Sequence, residues 1–377
     1  MKAFTNAKIV MPDHIIPNGT VVLDGERIAA VGKKICTDGM EVVDLEGAYI
    51  TPGLIEIHTH SNGDVFFQDD PVTVCADLLM HGVTDVTPAL YFTADKTELL
   101  RQIRLMKDTK ASGKAPNMIG LYMEAPYLNP KYGCDKENNP WQAPINADDY
   151  MPIIEEAGDF AKVWCVAPER ENIEEFVIAA KKRNPSVVFS VAHSEAEPYQ
   201  IEALMQYGLK LATHTTNATG TLSKYPECKG VCVDEAVYHN DDIFAELICD
   251  SVGIHVDPYL LRMIRKIKGD DRIILISDSY VAHGPVPEGY DGVTDINFDF
   301  EGEIAGTKIT LDRVCRNMMM HTGASICEVC KFASYNPAKL LGLTDRGSVK
   351  PGNLANLLIT DAEMNVKHVI FRGNMVK

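Results

Sequence analysis

The sequence predicts an α/β fold: a (β/α)8 barrel carrying a small discontinuous β-sandwich domain built from both termini. Three observations predict it. The chain has 377 residues, too many for one ordinary sandwich or bundle and suited to a barrel of roughly 250 residues plus a smaller module. Apolar strand-like runs alternate with helical stretches through its middle, the pattern of a parallel sheet. Short strands bounded by turn residues stand at each end.

The N-terminal strands are Val21-Val22-Leu23, Arg27-Ile28-Ala29-Ala30-Val31 and Glu41-Val42-Val43-Asp44-Leu45, separated by turns at Asp24-Gly25 and Asp38-Gly39. Thr51-Pro52-Gly53 marks a boundary. Eight strand candidates follow: Leu54–His60, Val83–Ala89, Met118–Glu124, Val163–Ala167, Val187–His193, Leu209–His214, Ala245–Cys249 and Arg272–Asp278. Helical stretches such as Thr97–Lys107, Ile173–Lys182 and Glu197–Tyr207 lie between them, and eight such units argue for a closed barrel. Helical pattern continues through Leu311–Met320 and Ser325–Leu341. A turn at 347–352 leads to strands around Asn356–Thr360 and Lys367–Phe371, which are expected to rejoin the N-terminal sheet. The expected division is residues 1–52 and 345–377 for the small domain and 53–344 for the barrel.

A composition of 46% hydrophobic and 24% charged residues excludes general disorder. The formal charge is −17. Such a balance repels nucleic acid and anionic membranes, so neither partner is expected. There is no apolar stretch near the roughly 18 residues of a membrane helix, and no apolar leader follows Met1. Ten scattered cysteines then fit a reduced, cytoplasmic protein. Cys327-Glu328-Val329-Cys330 has no second pair at zinc-ribbon spacing and is assigned to helix packing.

Five strand candidates carry a metal-binding type of residue at the same end. The first closes on His58-Thr59-His60, whose imidazoles, two residues apart in an extended strand, face one side. The third ends in Glu124, the fifth in His193, the sixth in His214 and the eighth in Asp278. Active sites of this barrel are built where the strands end. Histidine pairs and two carboxylates converging there suit one or two divalent ions with room for water. Zinc is the first choice, with iron, manganese or cobalt as alternatives.

The same residues carry a family resemblance. Thr51-Pro52-Gly53-Leu54-Ile55-Glu56-Ile57-His58-Thr59-His60 resembles the opening motif of the amidohydrolase superfamily. Gly120-Leu121-Tyr122-Met123-Glu124-Ala125-Pro126-Tyr127-Leu128-Asn129-Pro130 resembles the Gly-Leu-His-Leu-Glu-Gly-Pro-Phe-Leu-Asn-Pro stretch of its N-acetylglucosamine-6-phosphate deacetylase branch. Ala192-His193-Ser194, Thr213-His214-Thr215-Thr216-Asn217-Ala218, Gly253-Ile254-His255-Val256-Asp257 and Leu275-Ile276-Ser277-Asp278-Ser279 resemble further motifs of that branch, in order along the chain. The resemblance implies that Glu124, His193 and His214 hold the main metal. It implies that His58 and His60 complete a second site bridged by Glu124, and that Asp278 is the general base. It also implies a homodimer acting on a small molecule, by removing the acetyl group of an N-acetylated amino sugar phosphate.

The substrate side departs from the branch. Its Lys-Gly-Ala-His, whose histidine reaches the reacting carbonyl, reads Tyr132-Gly133-Cys134-Asp135 here. Its phosphate-binding arginine is missing, and the nearest basic residue is Lys224, with Lys229 further on. Asn217, Ala218, His255 and Lys224 are the expected substrate contacts; Cys134, Ala305 and Gly306 complete the set. Three other readings remain. A cyclic amidohydrolase needs a lysine at the end of strand four, where this chain reads Ala167-Pro168-Glu169 and has Lys162 at the wrong end. A deaminase wants a His-x-x-Glu helper that neither His193 nor His214 provides. A non-catalytic scaffold would be expected to lose ligands, and all six positions are present. Lys224→Ala is expected to raise KM for a 6-phosphate substrate without changing metal content.

Overall fold

A computed structural model of the chain describes residues 1–222 and 225–377. The N-terminal segment forms β1 (Lys2–Val10), β2 (Ile15–Asp24), β3 (Arg27–Gly32), β4 (Glu41–Asp44) and β5 (Tyr49–Pro52). Next come β6 (Leu54–Thr59), the small hairpin β7 (Ser61–Asn62) and β8 (Val65–Phe66), and then α1 (Pro71–Met80). From there the chain alternates: β9 (Val83–Tyr91), α2 (Lys96–Ala111), β10 (Leu121–Glu124), α3 (Ala147–Ala157), β11 (Ala161–Val166), α4 (Ile173–Arg183), β12 (Val188–Val191), α5 (Pro198–Met205), β13 (Leu209–Ala212), α6 (Val233–His239), β14 (Phe244–Ile248), α7 (Pro258–Lys268) and β15 (Ile273–Ile276). A hairpin, β16 (Ile296–Phe298) and β17 (Ile304–Thr307), precedes α8 (Leu311–Thr322), α9 (Ile326–Cys330) and α10 (Asn336–Leu340). The tail supplies β18 (Leu357–Thr360), β19 (Val366–Phe371) and β20 (Asn374–Met375).

Eight strands form the barrel sheet in the order β15-β14-β13-β12-β11-β10-β9-β6, joined by parallel pairings. Their residues are buried on both faces, which is why apolar residues occupy both faces of the strands, unbroken in Ile273–Ile276, and the polar residues among them are buried too. The remaining seam, between β15 and β6, is closed at its upper end. Asp278 N–H donates to His58 O (3.1 Å) and His60 N–H to Ser279 O (2.9 Å). The buried Glu56 carboxylate spans the same seam, accepting from His58 N–H (3.1 Å) and Ser277 N–H (3.0 Å). Burial pushes that carboxyl up to about 7, partly offset by these donors.

The helices start where short polar side chains cap them. Asp70, Asp95 and Asn146 each accept the N–H three residues on, opening α1, α2 and α3. Helix α4 places Glu174 and Glu175 in its first turn and Lys181, Lys182 and Arg183 in its last, the charge order that its dipole favours. The helix expected over Ser325–Leu341 is interrupted. Residues Lys331–Tyr335 widen into a π-turn between α9 and α10. Pro337 brings no N–H to the ladder. Ser334 Oγ instead donates to Gly53 O, and Asn336 Nδ2 to Asp270 O and Ile273 O, drawing the turn onto the barrel. The Cys327 and Cys330 side chains are buried here, and all ten cysteines are free thiols.

The strands from both ends of the chain form one second sheet, β20-β19-β18-β5-β1-β2-β3, with β4 also on β1. It forks at β1, whose residues 2–5 pair with β4 and whose residues 8 and 9 pair with β5. Phe4, Ile9, Val21, Ile50, Leu357 and Ile370 fill a core of its own. Asp85, 2% exposed on β9, ties this sheet's tail to the barrel, accepting from Arg346 Nη1 and from Asn356 Nδ2 (3.2 Å). Burial raises the Asp85 carboxyl even so. Arg346→Leu is expected to leave that carboxylate buried and uncompensated. The loss of unfolding free energy in a denaturant titration should be about 3–5 kcal/mol, the usual cost of breaking a buried pair from one side.

Candidate metal centre

The residues singled out at the strand ends come together at one end of the barrel. Glu124 is the last residue of β10. His193, His214 and Asp278 each lie two residues beyond β12, β13 and β15. All three have left-handed backbones, with φ of 42°, 29° and 45°. Such conformations cost of order 1–3 kcal/mol each and persist where the surroundings over-determine them.

Two donor groups result. Glu124, His193 and His214 form one; His58, His60 and Asp278 form the other. Glu124 Oε1 lies 2.8 Å from His193 Nε2 and 3.1 Å from His214 Nε2. Its other oxygen lies 3.0 Å from His60 Nε2 and 3.4 Å from His58 Nε2. Asp278 Oδ1 is 3.4 Å from His60 Nε2 and 3.6 Å from His58 Nε2. One carboxylate thus spans both groups.

The donor set fits a divalent ion. His58 Nε2 and Glu124 Oε2 are buried and make no hydrogen bond among the described residues, although both face the cluster. Buried polar atoms are normally satisfied, so such orphans call for a ligand. The two imidazole nitrogens of His193 and His214 approach to 3.1 Å. Burial pushes the Glu124 carboxyl up, but the charge on His58 and the hydrogen bonds from His193 and His214 outweigh it and hold the group well below the usual carboxylate range. For His193 burial prevails and lowers the imidazole. Glu246, fully buried on β14, fixes the His58 tautomer by accepting from Nδ1 (3.1 Å), leaving Nε2 for the cluster. The Tyr122 hydroxyl and the His214 N–H donate to the same Glu246 oxygen. Glu246 escaped the sequence reading because it sits inside its strand rather than at the end.

A cleft of about 310 Å³ opens over the cluster, within the usual range for small-molecule sites. Cys134, Asn217, Ala218, His255 and Gly306 line it. Ala305 is buried and does not line the cleft. Lys224 lies outside the described residues. Asn217 Nδ2 donates to His255 O (2.9 Å), while Asn217 Oδ1 and His255 Nε2 are buried with no hydrogen-bond partner among the described residues. Two glycines permit the close packing. A Cβ on Gly133, at φ 102°, would sit 2.9 Å from the His193 ring. One on Gly306, at φ 64°, would sit 2.4 Å from Asp278 O.

His255 is placed by Asp250, which is buried behind β14. Its carboxylate accepts from the N–H groups of Val252, Gly253, Ile254 and His255 and from His255 Nδ1. Burial raises this carboxyl, but the His255 ring and the backbone donors overcome it and hold it far below the ordinary 3.8. Stability from this group is therefore fully present above pH 3.8 and is lost as the pH falls toward the lowered value. Asp250→Asn puts a donor where an acceptor is needed. It should cost about 1–3 kcal/mol in thermal or denaturant unfolding and raise KM as His255 loses its support. An unchanged KM would remove His255 from substrate binding.

Some cleft residues went unread in the sequence. Lys131 and Lys136 line the mouth, each already paired with a carboxylate. Lys131 bonds Glu195, and Lys136 bonds both oxygens of Glu303 (2.6 and 2.7 Å). The second pair joins the loop after β10 to the β16–β17 hairpin, which comprises only short segments and gave no periodic signal. Lys162 donates to Asp159 O (2.9 Å) near the start of β11, away from the cluster.

Known proteins match along the whole chain. An N-acetylglucosamine-6-phosphate deacetylase of Bacillus subtilis is 25% identical over 97% of this chain and 95% of its own length. An N-acetylgalactosamine-6-phosphate deacetylase of Escherichia coli O157:H7 is 25% identical over 89% of this chain and 90% of its own. A solved N-acetyl-D-glucosamine-6-phosphate deacetylase of Mycobacterium smegmatis, a variant in complex with N-acetyl-D-glucosamine-6-phosphate, superposes with a TM-score of 0.83. It is 22% identical and covers 100% of this chain and 99% of that one. The amidohydrolase family model matches residues 49–376, and the chain belongs to the amidohydrolase family.

Proposed function

We propose that this protein is a metal-dependent deacetylase converting an N-acetylated amino sugar phosphate, first N-acetylglucosamine-6-phosphate, to the free amine and acetate. The observation that carries the reading is the Glu124 carboxylate spanning two imidazole groups beneath the cleft, with Asp278 beside the second. The named relatives support the substrate class.

An amide is a poor electrophile and neutral water a poor nucleophile. One or two divalent ions held by His58, His60, Glu124, His193 and His214, zinc first among them, would polarise the carbonyl and acidify water. Asp278 takes a proton from the attacking water as the C–O bond forms and then delivers it to the departing nitrogen as the C–N bond breaks. Asn217, Ala218 and His255 bind and orient the sugar from the far side of the cleft. A cytoplasmic setting is supported by ten free thiols. No helix among the described residues is long and apolar enough to cross a membrane. A homodimer is supported by α7, where Tyr259, Met263 and Ile267 stand exposed along one helical face, and sedimentation should return twice the chain mass.

A second reading, an unphosphorylated N-acyl substrate, is favoured by the mouth lysines. Both Lys131 and Lys136 are already neutralised by carboxylates. An amine-release screen separates the two. It compares N-acetylglucosamine-6-phosphate with its galacto and manno isomers, the unphosphorylated sugars and N-acyl amino acids. Preference for the 6-phosphates carries the first reading; preference for a neutral sugar or an amino acid replaces it. Lys224→Ala adds a KM test of the phosphate contact expected from the sequence.

A further inference from the structure

A second cavity of about 200 Å³ lies behind the cleft, and the two share a wall made of His60, Tyr91 and Tyr280. The wall is one ring thick. Tyr91 and Tyr280 each meet His60 edge-on at 5.4 Å between centroids and meet each other at 5.8 Å. Phe66 buttresses Tyr280 at 5.0 Å, and the Tyr91 hydroxyl is anchored to Cys134 O at 3.0 Å. Behind the wall stand Gln68, Thr93, Glu98 and Gln102.

Topology says which half of the substrate meets this wall. Asn217 and Ala218 follow β13, the sixth barrel strand, which stands across the barrel axis from β9, the second. Tyr91 ends β9, and Tyr280 follows β15, on the other flank of β6. A sugar held by Asn217 and Ala218 directs the acyl group, on the opposite side of the scissile carbonyl, toward Tyr91 and Tyr280.

We propose that Tyr91 and Tyr280 are specificity-determining residues that set acyl length, closing off the chamber behind them so that the site takes acetyl and rejects longer acyl groups. This rests on the reading of the protein as an N-acyl amino sugar hydrolase. The wall is fixed by packing and by the Tyr91 anchor, so a longer chain meets a stop rather than a yielding side chain. Removing either ring joins the chamber to the cleft.

The test is an acyl series, N-acetyl, N-propanoyl and N-butanoyl, on the sugar preferred in the amine-release screen, with the metal-loaded wild type, Tyr91→Ala and Tyr280→Ala. Wild type is expected to lose at least about tenfold in kcat/KM from acetyl to butanoyl. In at least one variant that ratio should shift toward butanoyl by about tenfold or more, the scale on which a pocket senses a methylene. Gln102→Ala, which enlarges the chamber from α2 and leaves the wall's rings and the Phe66 buttress in place, should keep the wild-type ratio. The proposal is overturned if wild type handles butanoyl within twofold of acetyl, a measurement that needs no variant to fold. It is also overturned if both metal-loaded tyrosine variants keep the wild-type ratio. Wild type inactive on every N-acetyl amino sugar would instead bring down the reading beneath it.

Discussion

Asp278→Asn is expected to lower kcat by at least about 10²-fold while the chain still carries metal. Asparagine keeps the size of the side chain and the backbone bonds that place it, from Asp278 N–H to His58 O and from Thr307 N–H to Asp278 O. What it loses is an oxygen able to accept and return a proton. Asp278 stands 3.4 Å from His60 and 3.6 Å from His58 and borders the cleft, so it faces both the cluster and the substrate. Glu124, His193 and His214 are untouched, so elemental analysis should still find metal. A variant turning over near the parent rate would take the proton-transfer role away from Asp278.

Glu124→Gln is expected to remove most of the bound metal, and activity with it. The carboxylate serves both donor groups, and one oxygen is already close to two imidazoles. An amide is a weak ligand, and its NH2 would turn a donor toward at least one group of histidines. Losing an outer-shell partner alone costs about 10–100-fold in metal affinity, so losing the shared carboxylate should exceed that range. The check is metal content after purification without chelator, followed by competition against a chelator of known affinity. Parent-level metal at low free concentration would place Glu124 outside the coordination sphere.

The alternation of buried runs with amphipathic stretches was legible because local periodicity follows directly from whether a segment is covered on one face or two. The strand expected over Met118–Glu124 is shorter in the structure. Only Leu121–Glu124 lies in the sheet, and Met118 makes an isolated bridge to Val86. The π-turn over Lys331–Tyr335 was missed because its cause is not local. Gly53, Asp270 and Ile273, distant along the chain, accept the bonds that hold it. The β16–β17 hairpin was missed because strands of three and four residues carry too little pattern.

By itself the sequence determined the barrel, the joining of its two ends in a second sheet, and which histidines and carboxylates stand at strand ends. Those follow from side-chain type and from the two-residue repeat of a strand, which are local properties. Only the tertiary structure decided that Glu124 faces both donor groups, that Glu246 orients His58 and Asp250 orients His255, and that Lys131 and Lys136 already have carboxylate partners. It alone set Tyr91 beside Tyr280, 189 positions apart in the sequence and 5.8 Å apart in space. The reason is physical. Neutralisation, tautomer choice and the thickness of a wall depend on distances between segments that only barrel closure brings together, and no local pattern encodes those distances.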